Sequence, residues 1–160
     1  MILTKEIALN KLRRMAMEIA ERNHDKPSLV LIGIKENGIV IADIISKMLK
    51  SIFSGKVDLL WLSLDKSHPS TITLSEAYDF NGANILLIDD VANSGRTMLY
   101  ALKPLLEKHP AQIQTLALVE RTHKLFPIAI DYVGHSVSTN AKENIVIKVA
   151  NGEVTGAELS

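Results

Sequence analysis

The chain is 160 residues long, 47% apolar and 22% charged, a globular composition that excludes a disordered or fibrous protein. Eighteen Lys and Arg balance eighteen Asp and Glu, which argues against a general nucleic-acid binder, since such proteins usually carry a basic excess. Cysteine is absent, so disulfides, thiolate metal sites and cysteine nucleophiles are ruled out.

The first fifteen residues (MILTKEIALNKLRRM) lack the basic-then-apolar order of a signal peptide, and the apolar runs are strand-length. A cytoplasmic protein with no membrane partner is expected. In residues 4–23, Ala8, Leu9, Leu12, Met15, Ala16 and Ile19 recur at helical spacing, with Thr4 as N-cap. Residues 29–34 (LVLIGI) form a continuous apolar run, the signature of a strand buried on both faces. Gly38 opens a second helical pattern that Gly55 closes, and residues 57–62 (VDLLWL) predict a second strand, with Trp61 expected in the core. Residues 65–82 are polar and broken by Pro69. They read as a long loop carrying a short strand at 71–74, and loops of this length in compact domains are often functional. Strands follow at 85–89, 113–119, 130–134 and 144–149, with a helix from about 95 that Pro104 kinks or restarts. Asn151 and Gly152 predict a type I′ hairpin into Glu153 and Val154. The alternation defines an α/β protein with a mainly parallel sheet, and such sheets bind ligands beyond the carboxyl ends of their strands. That singles out residues 33–38, 63–76 and 89–97.

The last of these is the most informative. From Ile85 to Thr97 (ILLIDDVANSGRT) a buried strand delivers Asp89 and Asp90 to its end, and a small-residue turn then enters a helix. Backbone N–H groups at such a turn favour an anion, Gly95 permits close approach, and Ser94 and Thr97 add hydroxyls. The two carboxylates suit ribose hydroxyls or a bridging Mg²⁺. An anion cradle beside a polyol-binding acid pair specifies a ribose phosphate. The plainer alternative is a strand end with two solvated acids before an ordinary helix.

The order of four apolar residues, two acids, an apolar residue, two variable positions, then Ser94-Gly95-Arg96-Thr97 resembles the phosphoribosyl-pyrophosphate (PRPP) signature of type I phosphoribosyltransferases. Residues 31–39 (LIGIKENGI) resemble the pyrophosphate loop of one branch, the pyrimidine-operon attenuator and uracil phosphoribosyltransferase family, and residues 118–128 with 131–134 (DYVG) resemble its base-binding hood. The resemblance implies one phosphoribosyltransferase domain over residues 1–160, with a small C-terminal hood and β-hairpin. It implies that Asp89 and Asp90 hold the ribose hydroxyls, that Val91, Ala92, Asn93, Ser94, Gly95, Arg96 and Thr97 bind PRPP, and that Ile34, Lys35, Glu36 and Asn37 face the pyrophosphate, with a strained or cis peptide near Lys35. Backbone groups at Val133 and Gly134 would read the base. Mg²⁺ would be held through PRPP and water and not by direct protein ligands. The partners would be PRPP and a nucleobase or nucleoside monophosphate, in a homodimer or tetramer.

Two departures stand out. Where the branch has tyrosine-arginine-aspartate-aspartate, this chain reads Leu62-Ser63-Leu64-Asp65, so Ser63 replaces the arginine that would contact pyrophosphate. Lys66 or His68 would stand in, which makes the implied catalytic set Asp89, Asp90, Lys35 and Lys66. This departure also admits a PRPP- or nucleotide-binding regulator with weak or lost turnover. Among the positions that bind messenger RNA in the attenuators, Arg121 and His123 match, whereas Met17, Ala129 and His135 do not, so RNA is not an expected partner.

Overall fold

In a computed structural model, which describes every residue except Lys66, Ser70 and Ala141, the chain forms two sheets and four helices. In order these are β1 (Leu3–Thr4), α1 (Lys5–Arg22), β2 (Ser28–Ile34), α2 (Asn37–Ile52), β3 (Lys56–Leu64), β4 (Ile72–Leu74), β5 (Asn84–Ala92), α3 (Arg96–Ala101), α4 (Lys103–Leu106), β6 (Gln112–Arg121), β7 (Tyr132–Val137), β8 (Ile145–Ala150) and β9 (Glu153–Leu159). The six-stranded sheet has the order β4-β3-β2-β5-β6-β7 and is parallel except for β4, which runs antiparallel to β3. The smaller sheet, β1-β9-β8, is antiparallel.

The continuous apolar strands are buried on both faces. In β2, Leu29 and Leu31 pack with α1 and α2, while Val30, Ile32 and Ile34 pack with α3 and Phe80. In β5, Leu86 and Ile88 take the first face and Ile85 and Leu87 the second. Burying each such side chain contributes about 1.5–3 kcal/mol, which is why the strands flanking the sheet's centre carry so little polarity. Thr4 caps α1 as expected, its hydroxyl oxygen accepting from the Ile7 N–H at 3.2 Å. The predicted hairpin turn is present, with positive φ at both Asn151 (52°) and Gly152 (75°).

Several elements differ from the sequence reading. The helix expected from residue 95 is only six residues long, and α4, with Pro104 in its first turn, is a separate piece. The strand expected at 130–134 begins at Tyr132. Asp131 is held in a bend by Thr115, whose N–H and hydroxyl both donate to the Asp131 carboxylate, at 2.9 and 3.2 Å. Strand β1 was not foreseen, because two residues carry no periodicity and their partner, β9, lies at the far end of the sequence.

The chain leaves β2 toward β3 and β4 on one side, and continues from β5 to β6 and β7 on the other. The order therefore reverses between β2 and β5, and a crevice at that point is the general ligand site of such sheets. The three segments singled out from the sequence follow β2, β3 and β5, which are adjacent.

Candidate active site

The strand β5 runs three residues past the predicted end, so Val91 and Ala92 belong to the strand and the turn starts at Asn93. Asp89 is 3% exposed and Asp90 half-buried. Successive strand residues point to opposite sides, and the two acids accordingly face different cavities. Asp89 lines a cavity of about 120 Å³ that is walled by every residue from Val91 to Thr97 and by Met98. Asp90 lines a second, of about 430 Å³, with Lys35, Glu36, Asn37, Ser63 and Leu64. The acid pair thus stands on the partition between two spaces.

The small cavity is shaped by backbone. Gly95 sits at φ 86°, and a Cβ there would lie 2.7 Å from Ile128 Cγ2, so only glycine fits. The Ser94 carbonyl accepts from the N–H groups of Leu125 and Phe126, both at 3.0 Å, and its hydroxyl accepts from Arg96 N–H at 3.2 Å. With α3 so short, little macrodipole stands behind the turn. The αL glycine gives the turn the kind of backbone form from which anion nests are built. Arg96 lines the cavity and lies over the Tyr100 ring, 5.8 Å from the centroid.

The second cavity is assembled from three strand ends. The Lys35–Glu36 peptide is cis. The Lys35 N–H donates to the Leu62 carbonyl at 2.8 Å, which ties the loop after β2 to β3. Gly38 lets α2 press against β5, since a Cβ there would lie 2.8 Å from the Ile88 carbonyl oxygen. Asn37 does more than face the cavity. Its amide donates to Asp90 Oδ2 and to the Ile147 carbonyl of β8, each at 3.1 Å, and so fixes the acid against the small sheet. The Lys35 ammonium lies over the Trp61 ring, 5.2 Å from its centroid. Trp61, expected in the core, is half-buried and serves as a platform.

A third cavity, of about 400 Å³, shares Asn93 and Ser94 with the small cavity and continues to Arg121, His123, Leu125, Thr139 and Asn144. Arg121 holds its far wall by donating to the carbonyls of Asn140 and Glu143. The Nε of Arg121 and the hydroxyl of Thr139 are buried without partners among the described residues.

Not every expected residue reaches these spaces. Ile34 is wholly buried in the core, so only its backbone faces the loop. Val133 and Gly134 are not brought to the crevice. They sit within β7, paired with β6, and their carbonyls accept from the Arg14 guanidinium of α1 at 3.1 and 3.0 Å. Lys66 lies outside the described residues. His68 is in the loop after β3, where Asp65 accepts from Ser67 N–H and hydroxyl, and those bonds hold the Asp65 carboxyl below its usual range. The side chains sequence reasoning missed were Trp61, Thr139 and Asn144. The only signal for the first was its place two residues before Ser63 on the same strand face.

Among the described residues no three His, Asp or Glu side chains converge as a metal cage. A hard divalent cation at Asp89 and Asp90 would take its remaining oxygens from ligand and water.

A buried strand delivering two acids, a glycine-dependent turn and a crevice at the reversal of strand order meet at one end of the parallel sheet of an α/β protein. The chain belongs to the phosphoribosyltransferase family: a model described as a phosphoribosyl transferase domain matches residues 1–150. It is 37% identical over 155 residues to a protein of Clostridioides difficile (strain 630) named Bifunctional protein PyrR, covering 91% of this chain and 86% of that one. To the protein of the same name from Listeria welshimeri it is 32% identical over 164 residues, covering 94% and 90%. Among solved structures, the hypoxanthine phosphoribosyltransferase of Trypanosoma cruzi superposes with a TM-score of 0.82 at 15% identity, over 98% of this chain and 94% of that one. A hypoxanthine-guanine phosphoribosyltransferase from Bacillus anthracis gives a TM-score of 0.72 at 19% identity, over 91% and 84%. At these identities the structural likeness establishes the type I phosphoribosyltransferase fold.

Proposed function

We propose that this chain transfers the 5-phosphoribosyl group of PRPP to uracil, giving UMP and pyrophosphate, and that residues 1–160 act as one domain. The observation that carries the reading is the partition at the end of β5. It offers a glycine-shaped pocket on one side and a larger polar cavity on the other, with one of the two acids in the lining of each. The 5-phosphate enters the pocket at Asn93–Thr97 and the ribose hydroxyls meet Asp89 and Asp90. The pyrophosphate lies toward Lys35, Glu36 and Asn37. The base enters the 400 Å³ cavity, where Arg121 and Thr139 offer unpaired polar atoms to its edge. This replaces Val133 and Gly134 as base readers.

A ring nitrogen of the base forms a bond to the anomeric carbon as the bond to the pyrophosphate oxygen breaks; the electron pair leaves with pyrophosphate, and the proton of the ring N–H passes to the departing pyrophosphate or to water. Positive charge develops on the ribose between the two events, and the adjacent carboxylates favour it. The chain's main contribution is to hold base and sugar in line, and no side-chain acid or base is required. A Mg²⁺ held near Asp89 and Asp90 would neutralise charge on the leaving group. Uracil as the acceptor follows the branch resemblance, and the similarity to proteins named Bifunctional protein PyrR supports that branch.

A second reading, a PRPP- or nucleotide-binding regulator with little turnover, is favoured by Ser63, which stands in the cavity wall where the branch has arginine. RNA attenuation gains no support from Arg121, whose two terminal nitrogens donate to the carbonyls of Asn140 and Glu143 within this chain. The test is product analysis with PRPP, Mg²⁺ and a panel of bases. UMP should form with the parent and fall roughly 100-fold or more with Asp90→Asn. Binding of PRPP without product from any base would transfer the assignment to the regulator.

A further inference from the structure

We propose that Trp61 is a positioning residue for the pyrophosphate end of the site, its ring holding the Lys35 ammonium at the edge of the cavity lined by Ser63 and Asp90. This rests on the phosphoribosyl-transfer reading above. Among the described residues that line this cavity Lys35 is the one cation, whereas Glu36 and Asp90 are acids. A polyanion placed there depends on where that single charge sits. A lysine alone fixes it poorly, because four rotatable carbons carry a compact charge with no preferred direction.

The structure supplies the direction. The Lys35 backbone is anchored to β3 through the Leu62 carbonyl, and its ammonium reaches back over the ring of the preceding residue at 5.2 Å. That distance lies within the range of cation–π attraction. The backbone that carries the Trp61 ring is itself clamped: the Trp61 main-chain N–H donates to the Ser75 hydroxyl at 3.1 Å, and the Trp61 carbonyl accepts from the Ser75 N–H at 2.8 Å. Trp61 and Ser63 stand two residues apart on one face of β3, so the ring lies one step behind the serine in the cavity wall. The charge missing at Ser63 is thereby brought in from the neighbouring strand. The attraction at a half-buried ring is weak enough for pyrophosphate oxygens to take the ammonium over on binding.

Trp61 is the only tryptophan, so its emission reports on this contact. The experiment titrates the protein with inorganic pyrophosphate in Mg²⁺, following emission and heat together, for the parent, Lys35→Met, Trp61→Leu and Trp61→Phe. The parent should show a saturable emission change with the calorimetric Kd, and Lys35→Met should lose that change. Trp61→Leu should weaken pyrophosphate roughly two- to five-fold and leave UMP affinity unaltered. Trp61→Phe, which keeps an aromatic face, should recover most of the loss. Emission that stays silent while heat shows binding, parent-like pyrophosphate affinity in Trp61→Leu, or a Phe variant as weak as the Leu variant would each overturn the positioning role and leave the transfer reading standing. No heat from pyrophosphate in the parent would overturn both.

Discussion

The carboxyl ends of β5 and β3 flank the same central strand, and they are built in opposite ways. At β5 the acids, the glycine turn and the helix that follows are one stretch of thirteen residues, and the geometry is carried by backbone and one left-handed glycine. At β3 the cavity wall is assembled from three segments, and its single described cation is borrowed from the loop after β2. A contiguous site tolerates little change and is readable as a motif. An assembled site can lose its arginine and refill the role from a neighbouring strand.

The sharpest way to break this contrast is Gly95→Ala. The left-handed backbone costs an L-residue about 1–2 kcal/mol, and the new Cβ collides with Ile128. Nucleotide formation should fall by roughly 100-fold or more, with a smaller loss of thermal stability; steady-state kinetics and a melting curve separate the two. Next comes Asn37→Ala, which leaves Asp90 and the Ile147 carbonyl without their shared donor. A roughly tenfold drop in kcat/KM, or about 1.4 kcal/mol, is expected, most of it in kcat. Ser63→Arg works in the other direction. A guanidinium fork on the cavity wall should tighten pyrophosphate several-fold in calorimetry, and the gain should shrink if Lys35 already fills the place. The smallest effect lies away from the site. Burial, with the hydrogen bond to Asp58 at 2.8 Å, pushes the Tyr78 hydroxyl up to about 12. A group whose pKa is raised on folding adds stability while protonated in both states, and that stability is lost as pH climbs from about 10 toward 12. Denaturant melts across that window should show a decline that Tyr78→Phe reduces, with the remainder coming from Tyr132, whose hydroxyl burial also pushes up.

What the sequence revealed follows the same contrast. The runs at 29–34 and 85–89 announced buried parallel strands because both faces are covered, and the stretch from Ile85 to Thr97 announced the strand end and the glycine turn because its parts are consecutive. The positions of Trp61 and Lys35 follow from the register that sets Ile34 beside Leu62, which no local pattern encodes. Val133 and Gly134 looked like base readers by resemblance, yet the Arg14 side chain, from a helix more than a hundred residues earlier, claims both carbonyls. The wall that replaces them joins Thr139 and Asn144 to the end of β6 through Arg121, again a product of tertiary contact.

The amide of Asn37 joins Asp90 to β8, and β8 is held by β9, which in turn pairs with β1. Coupling of this kind is reciprocal. Substrate that steadies Asp90 must also steady the small sheet. Amide exchange and protease nicking along the β8–β9 hairpin should therefore slow when PRPP is present, although the hairpin turn lies outside all three cavities. The terminal sheet then acts as a remote gauge of occupancy, read without any chemistry taking place.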